Sequence, residues 1–154
     1  MFSVLIVDDC SVLRDALKAF LTSQFPSILV GEAVNGEEAL SAFQKLNPFL
    51  IFMDINLPDK SGLELTRIIK ALNPQTEIVI LTNHESPEYR EAAFQSGASH
   101  FLTKRSIKIE EVISLVASAL KTRAREGRAG RRVETRPLMS ELEYSNMPSA
   151  PHLP

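Results

Sequence analysis

The stretch that most limits what this chain can become is Leu50-Ile51-Phe52-Met53-Asp54-Ile55-Asn56-Leu57-Pro58. It starts as an unbroken apolar run, the pattern of a strand covered on both faces, and stops on a carboxylate followed by a proline turn. A charge therefore stands at the carboxyl end of a buried strand, which is the edge where open α/β sheets place ligands and chemistry. Asp54 is the first candidate for a functional residue.

The same arrangement recurs along the chain. Val4-Leu5-Ile6-Val7 ends on Asp8-Asp9, Ile78-Val79-Ile80-Leu81 ends on Thr82, and the short run His100-Phe101-Leu102 ends at Thr103-Lys104. Ile28–Ala33 is a further strand. Between these runs apolar residues repeat at helical spacing. The first helix carries Val12, Leu13, Ala16, Leu17, Phe20 and Leu21, with Ser11 as its cap. The second carries Ala39, Leu40, Phe43 and Leu46, and the third Leu63, Leu65, Ile68, Ile69 and Leu72. A fourth, through Ala92, Ala93 and Phe94, has a thin apolar face, and the last uses Ile109, Val112, Ile113, Val116, Ala119 and Leu120. Strand and helix alternate five times with short connections, which predicts an α/β fold: a doubly wound parallel sheet with helices on both faces and right-handed crossovers.

Length and charge divide the chain in two. One domain is expected over residues 1–121, with a basic, then polar, disordered tail over 122–154 and the last helix running on to about Arg125. Residues 1–120 hold 10 Lys and Arg against 15 Asp and Glu, a balance of −5, whereas residues 121–154 hold 7 against 4, a balance of +3. An acidic body argues against nucleic-acid binding by the folded domain, because phosphate contacts need Lys and Arg. No apolar run reaches the length of a membrane span, and Met1-Phe2-Ser3-Val4 lacks the basic start of a signal peptide. The single cysteine, Cys10, cannot pair within the chain and reads as a small buried filler. These features together fit a soluble cytoplasmic protein.

A parallel sheet brings Asp8, Asp9, Asp54, Thr82 and Lys104 to one edge. Two unit charges about 4 Å apart repel by roughly 4 kcal/mol at an effective dielectric of 20, so the carboxylates must hold protons, pair with Lys104 or bind a cation. Hard oxygen ligands without His or Cys suit Mg²⁺ or Mn²⁺. A hydroxyl and an ammonium suit phosphate oxygens, and a carboxylate beside them can act as a nucleophile that forms an acyl phosphate. Each residue also has a plain reading: Asp54 and Thr82 as caps at strand ends, Lys104 as a solvated lysine, Phe101 as core, Asn56 as the start of the Leu57-Pro58 turn. His84, His100 and His152 lack metal-ligand spacing.

In this order and spacing the motifs Val-Leu-Ile-Val-Asp8-Asp9, Phe-Met-Asp54-Ile-Asn-Leu-Pro58, Ile-Leu-Thr82, Gly97-Ala98 and Phe101-Leu-Thr-Lys104 resemble those of response-regulator receiver domains of two-component signalling. The resemblance covers roughly residues 1–120. It implies a flavodoxin-like sheet of order 2-1-3-4-5. It further implies that Asp54 accepts a phosphoryl group from a histidine kinase or phosphotransfer protein, and that Asp9, Asp54 and the Asn56 carbonyl hold Mg²⁺, with Asp8 acting through water. Thr82 and Lys104 would hold the phosphoryl oxygens. Phe101 would be a switch aromatic that remodels the face of the fourth helix, fifth strand and fifth helix, with output through a downstream protein or self-association. The position after Thr82, often a small residue in that family, is Asn83 here, followed by His84. Two other functions use similar parts: an aspartyl-phosphate phosphohydrolase, which usually has Asp where Asn56 stands, and a receiver-shaped binding module that needs no phosphate.

Overall fold

The structure is a computed structural model and describes residues 2–128. Its elements alternate strictly: β1 (Ser3–Val7), α1 (Ser11–Gln24), β2 (Leu29–Ala33), α2 (Gly36–Leu46), β3 (Leu50–Met53), α3 (Gly62–Leu72), β4 (Glu77–Thr82), α4 (Pro87–Gln95), β5 (His100–Thr103) and α5 (Ile109–Arg128). All strand pairs are parallel and the order is β2-β1-β3-β4-β5. The doubly wound sheet expected from the apolar runs is therefore present.

Strand side chains alternate faces, which splits the core in two. Leu5, Val7, Ile51, Met53, Ile78 and Ile80 pack with Phe43 of α2, Ile69 of α3 and Ala93 of α4. Val4, Ile6, Leu50, Phe52, Val79 and Leu81 pack with Leu17 and Leu21 of α1 and Val112 and Val116 of α5. The central strands are buried on both sides, so nothing polar interrupts them until their carboxyl ends. The thin stripe of α4 contributes only Ala92 and Ala93 as buried residues, while Phe94 stays exposed.

Several local expectations are corrected. Val12 is 77% exposed because it stands five residues before buried Leu17, about 140° away around the helix. Ile109 is also exposed, and Ile107 packs against the core instead. Ser11 is the first residue of α1 rather than its cap. The cap position belongs to Cys10, which is exposed rather than a buried filler, and whose N–H donates to Asp8 Oδ1 at 2.9 Å. α5 runs on to Arg128, three residues past the end expected near Arg125. The remainder of the expected tail, residues 129–154, lies outside the described residues.

Two turns depend on glycine. Gly97 has φ +106°, the left-handed region that side chains rarely enter, where α4 turns into β5. Gly62 opens α3 so close to β3 that a Cβ there would lie 1.9 Å from the backbone oxygen of Asp54. The path of the chain around Asp54 thus requires a missing side chain eight residues later.

Candidate functional site

Each strand that supplies a site residue is tied by a backbone hydrogen bond just past its last paired position. Asp8 N–H donates to Ala33 O at 3.1 Å, Asp54 N–H to Val7 O at 2.9 Å, and Lys104 N–H to Thr82 O at 2.8 Å. The sheet's own ladder therefore fixes the backbone from which these side chains project. Arg14 Nη1 adds a bond to the Asp8 carbonyl at 2.8 Å.

The structure brings Asp8, Asp9, Asp54 and Lys104 together. Lys104 Nζ lies 2.7 Å from Asp8 Oδ2 and 3.2 Å from Asp54 Oδ2, so one ammonium bridges two buried carboxylates. Carboxylate oxygens of Asp8, Asp9 and Asp54 all lie within 4.8 Å of one another, with Asp8 and Asp54 buried and Asp9 exposed. Thr82, 0% exposed, ends β4, and its Oγ1 accepts from His84 N–H at 3.3 Å. Phe101 is 8% exposed and packs in the same core cluster as Ala92, Ala93 and Ala98, with the Arg90 guanidinium 5.9 Å from its ring centre.

Electrostatics follow from this crowding. Burial pushes the Asp54 carboxyl above its usual range, and the charge of Asp8 pushes in the same direction, while Lys104 offsets only part of both. Burial alone would lower the Lys104 ammonium, but its hydrogen bond to Asp8 and the charges of Asp54 and Asp8 outweigh that and raise it. The ionised Asp54 is thus a destabilised anion held beside a firmly charged lysine. Three carboxylates sharing one ammonium leave negative charge in excess. The all-oxygen donor set, with its most exposed member facing outward, fits a hard divalent cation such as Mg²⁺ or Mn²⁺.

Sequence reasoning missed one group here and the contacts of another. Asp59 caps α2 from a distance: its Oδ1 accepts from Gly36 N–H at 2.7 Å and its Oδ2 from Glu37 N–H at 3.0 Å. Burial opposes the Asp59 charge, but these backbone donors prevail and hold its carboxyl below the usual range. Asn35 caps the same helix through Glu38 N–H at 2.8 Å, and the Glu38 carboxylate returns a bond to Val34 N–H. Asp59 thereby ties the loop after β3, which carries Asn56, to α2. A helix with two acceptors for its first turn, one of them distant in sequence, offers no signal to a local reading. The second is His84, noted in the sequence beside Thr82 but without its partners. Its Nε2 accepts from the Asn56 amide at 2.6 Å, and its ring stacks on Tyr89 at 4.3 Å between centres.

A parallel doubly wound sheet whose edge gathers acidic residues, one hydroxyl and one lysine defines the class of flavodoxin-like receiver folds. Comparison with known proteins makes this specific. The family model described as "Response regulator receiver domain" matches residues 4–117, and the chain belongs to that family. It is 34% identical over 104 residues to the response regulator GacA of Pseudomonas protegens, covering 68% of this chain and 49% of that protein. It is 32% identical over 118 residues to Protein CcdB of Bacillus subtilis, covering 75% of this chain and 98% of that one. The beryllofluoride-activated DrrB receiver domain superposes with a TM-score of 0.71 at 26% identity, over 79% of this chain and 98% of its own. Among the first curated relatives, the chain spans 49–60% of their length. Receiver domains of this family serve as phosphorylation-activated signalling switches rather than as classical enzymes, and bind Mg²⁺ at an acidic pocket. No described helix is long and apolar enough to cross a membrane.

Proposed function

We propose that this chain is a signalling switch that takes a phosphoryl group onto Asp54 from a phosphohistidine of a histidine kinase or phosphotransfer protein. An Asp54 carboxylate oxygen forms the new bond to phosphorus while the P–N bond of the donor breaks, its electron pair leaving with the imidazole nitrogen. Asp9 and Asp54, with the Asn56 carbonyl, would hold Mg²⁺ or Mn²⁺, and Asp8 would act through a water. The ion would supply neutralisation of the charge on the transferring group. Lys104 would exchange its contact with the Asp54 carboxylate for a phosphoryl oxygen, and Thr82 would donate its hydroxyl to another.

The observation that carries this reading is the single ammonium shared between Asp8 and Asp54 at 2.7 and 3.2 Å, with Asp9 in the same carboxylate cluster. A capping or purely structural aspartate has no need of a second carboxylate and a lysine within reach. Asn56, in place of a second acid after Asp54, supports a switch over a phosphohydrolase. Movement of Thr82 toward the phosphoryl group would vacate space beside α4 and let Phe101 repack, altering the α4–β5–α5 face presented to a downstream protein or a second copy of the chain. We place this activity in the cytoplasm, within a domain spanning about residues 1–121. Self-dephosphorylation by water would reset it.

The test is incubation with Mg²⁺ and phosphoramidate, followed by intact mass. The wild type should gain one phosphoryl group and Asp54→Asn none. A variant that still gained the mass would overturn the assignment.

A further inference from the structure

His84 makes three contacts, one of them with the switch hydroxyl. Its backbone N–H donates to Thr82 Oγ1 at 3.3 Å, so the hydroxyl is engaged by the loop that follows its own strand. Its ring accepts from the Asn56 amide at 2.6 Å, bridging the loop after β4 to the loop after β3. The opposite side of the grip is Tyr89 of α4, whose ring lies 4.3 Å away and inclined by only 13°. Tyr89 itself packs against the core cluster that contains Phe101.

We propose that His84 is a positioning residue: its ring, held between Asn56 and Tyr89, fixes the loop whose N–H retains Thr82 in the resting arrangement. This rests on the reading that Asp54 accepts the phosphoryl group and that Thr82 moves to meet it. When Thr82 turns to the phosphoryl oxygens, its bond from the His84 N–H must be given up or reshaped. The ring contacts resist that movement because the loop cannot shift without disturbing the amide bridge, the stack, or both. His84 therefore links two events: release of the hydroxyl and displacement of the first turn of α4. A partner that gripped α4 in its displaced position would prolong the phosphorylated state through the same contacts. Weakening the clasp raises the population of the binding-competent arrangement, and apparent affinity for a phosphoryl mimic rises with that population.

The experiment titrates the full chain with beryllofluoride and Mg²⁺, read by ¹⁹F NMR, in the wild type and in His84→Ala, Tyr89→Leu and Tyr89→Phe. Loss of one net hydrogen bond or stack from the resting state should tighten beryllofluoride binding roughly threefold to tenfold in His84→Ala and Tyr89→Leu. Tyr89→Phe keeps the stacked ring and should stay within about twofold of wild type. Mg²⁺ affinity measured without beryllofluoride should not change in Tyr89→Leu or Tyr89→Phe, since Tyr89 belongs to neither the acidic cluster nor the loop that carries Asn56. Equal or weaker beryllofluoride binding in His84→Ala overturns the clasp, as does Tyr89→Phe behaving like Tyr89→Leu. A wild type that fails to bind beryllofluoride at all overturns the phosphoacceptor reading as well, so the two failures are distinguishable.

Discussion

Replacing Lys104 with methionine keeps much of the side-chain volume and removes the charge, which isolates what the ammonium does. In the native site it lies 2.7 Å from Asp8 and 3.2 Å from Asp54, and those carboxylates approach each other within 4.8 Å. At an effective dielectric of 20, two negative charges at that separation repel by about 3.5 kcal/mol. Breaking a buried ionic cluster by removing one partner costs about 3–5 kcal/mol, so a loss near 3 kcal/mol at pH 8 is expected without divalent ions. For a chain of this size that is roughly 6–12 °C in melting temperature. The sign with pH follows from Asp54, whose carboxyl is already raised by burial and by Asp8. A raised carboxyl penalises the folded state as pH climbs from the unfolded value, 3.8, through the folded one. In Lys104→Met the folded value rises further, so the deficit should be small near pH 4 and full at pH 8. Mg²⁺ should recover part of it, by about 2.7 kcal/mol at 100 times its dissociation constant. Thermal melts at both pH values with EDTA and with Mg²⁺ provide the readout. An equal deficit at both pH values, or a variant as stable as wild type at pH 8 in EDTA, would refute the charge argument.

Three further outcomes follow from the same geometry. Asp54→Asn, which removes an anion that burial and Asp8 disfavour, should melt above wild type in EDTA at neutral pH, and the gap should close in acid as the native carboxyl takes up its proton; a lower melting temperature at pH 7 would count against it. Asp59→Ala removes a two-pronged cap from α2 and should cost about 1 kcal/mol by urea unfolding. Because the Asp59 carboxyl is held below its usual range, that stabilisation is present above pH 3.8 and is lost as pH falls through the lower folded value. Gly62→Ala drives a methyl into the Asp54 carbonyl and should destabilise by about 2–3 kcal/mol, with amide shifts in NMR spectra concentrated at residues 54–56.

What the sequence made legible was whatever depends on period and on strand ends. Apolar runs stopping on Asp8, Asp54, Thr82 and Lys104 predicted the sheet, and with it the meeting of Asp8, Asp54 and Lys104, because a parallel sheet brings those strand ends to one edge. Burial of individual helix residues was less readable: Val12 differs from Leu13 only by its angle around α1, and the direction of the core is set by the sheet. Long-range polar contacts were not readable at all. Asp59 reaches back 22 and 23 residues to Glu37 and Gly36, and Asn56 meets His84 across 28. Each joins loops whose proximity exists only after the strands pair. Cys10 illustrates the same limit: read as a small buried filler, it stands at the turn into α1 and is exposed.

The central claim is that one carboxylate among three neighbours carries the phosphoryl group. Borohydride reduction of the protein after treatment with phosphoramidate and Mg²⁺ converts an aspartyl phosphate to homoserine, which peptide mass mapping then locates. Homoserine at position 54 alone is the predicted result. Conversion at position 8 or 9, or none under conditions where beryllofluoride binds, would contradict it.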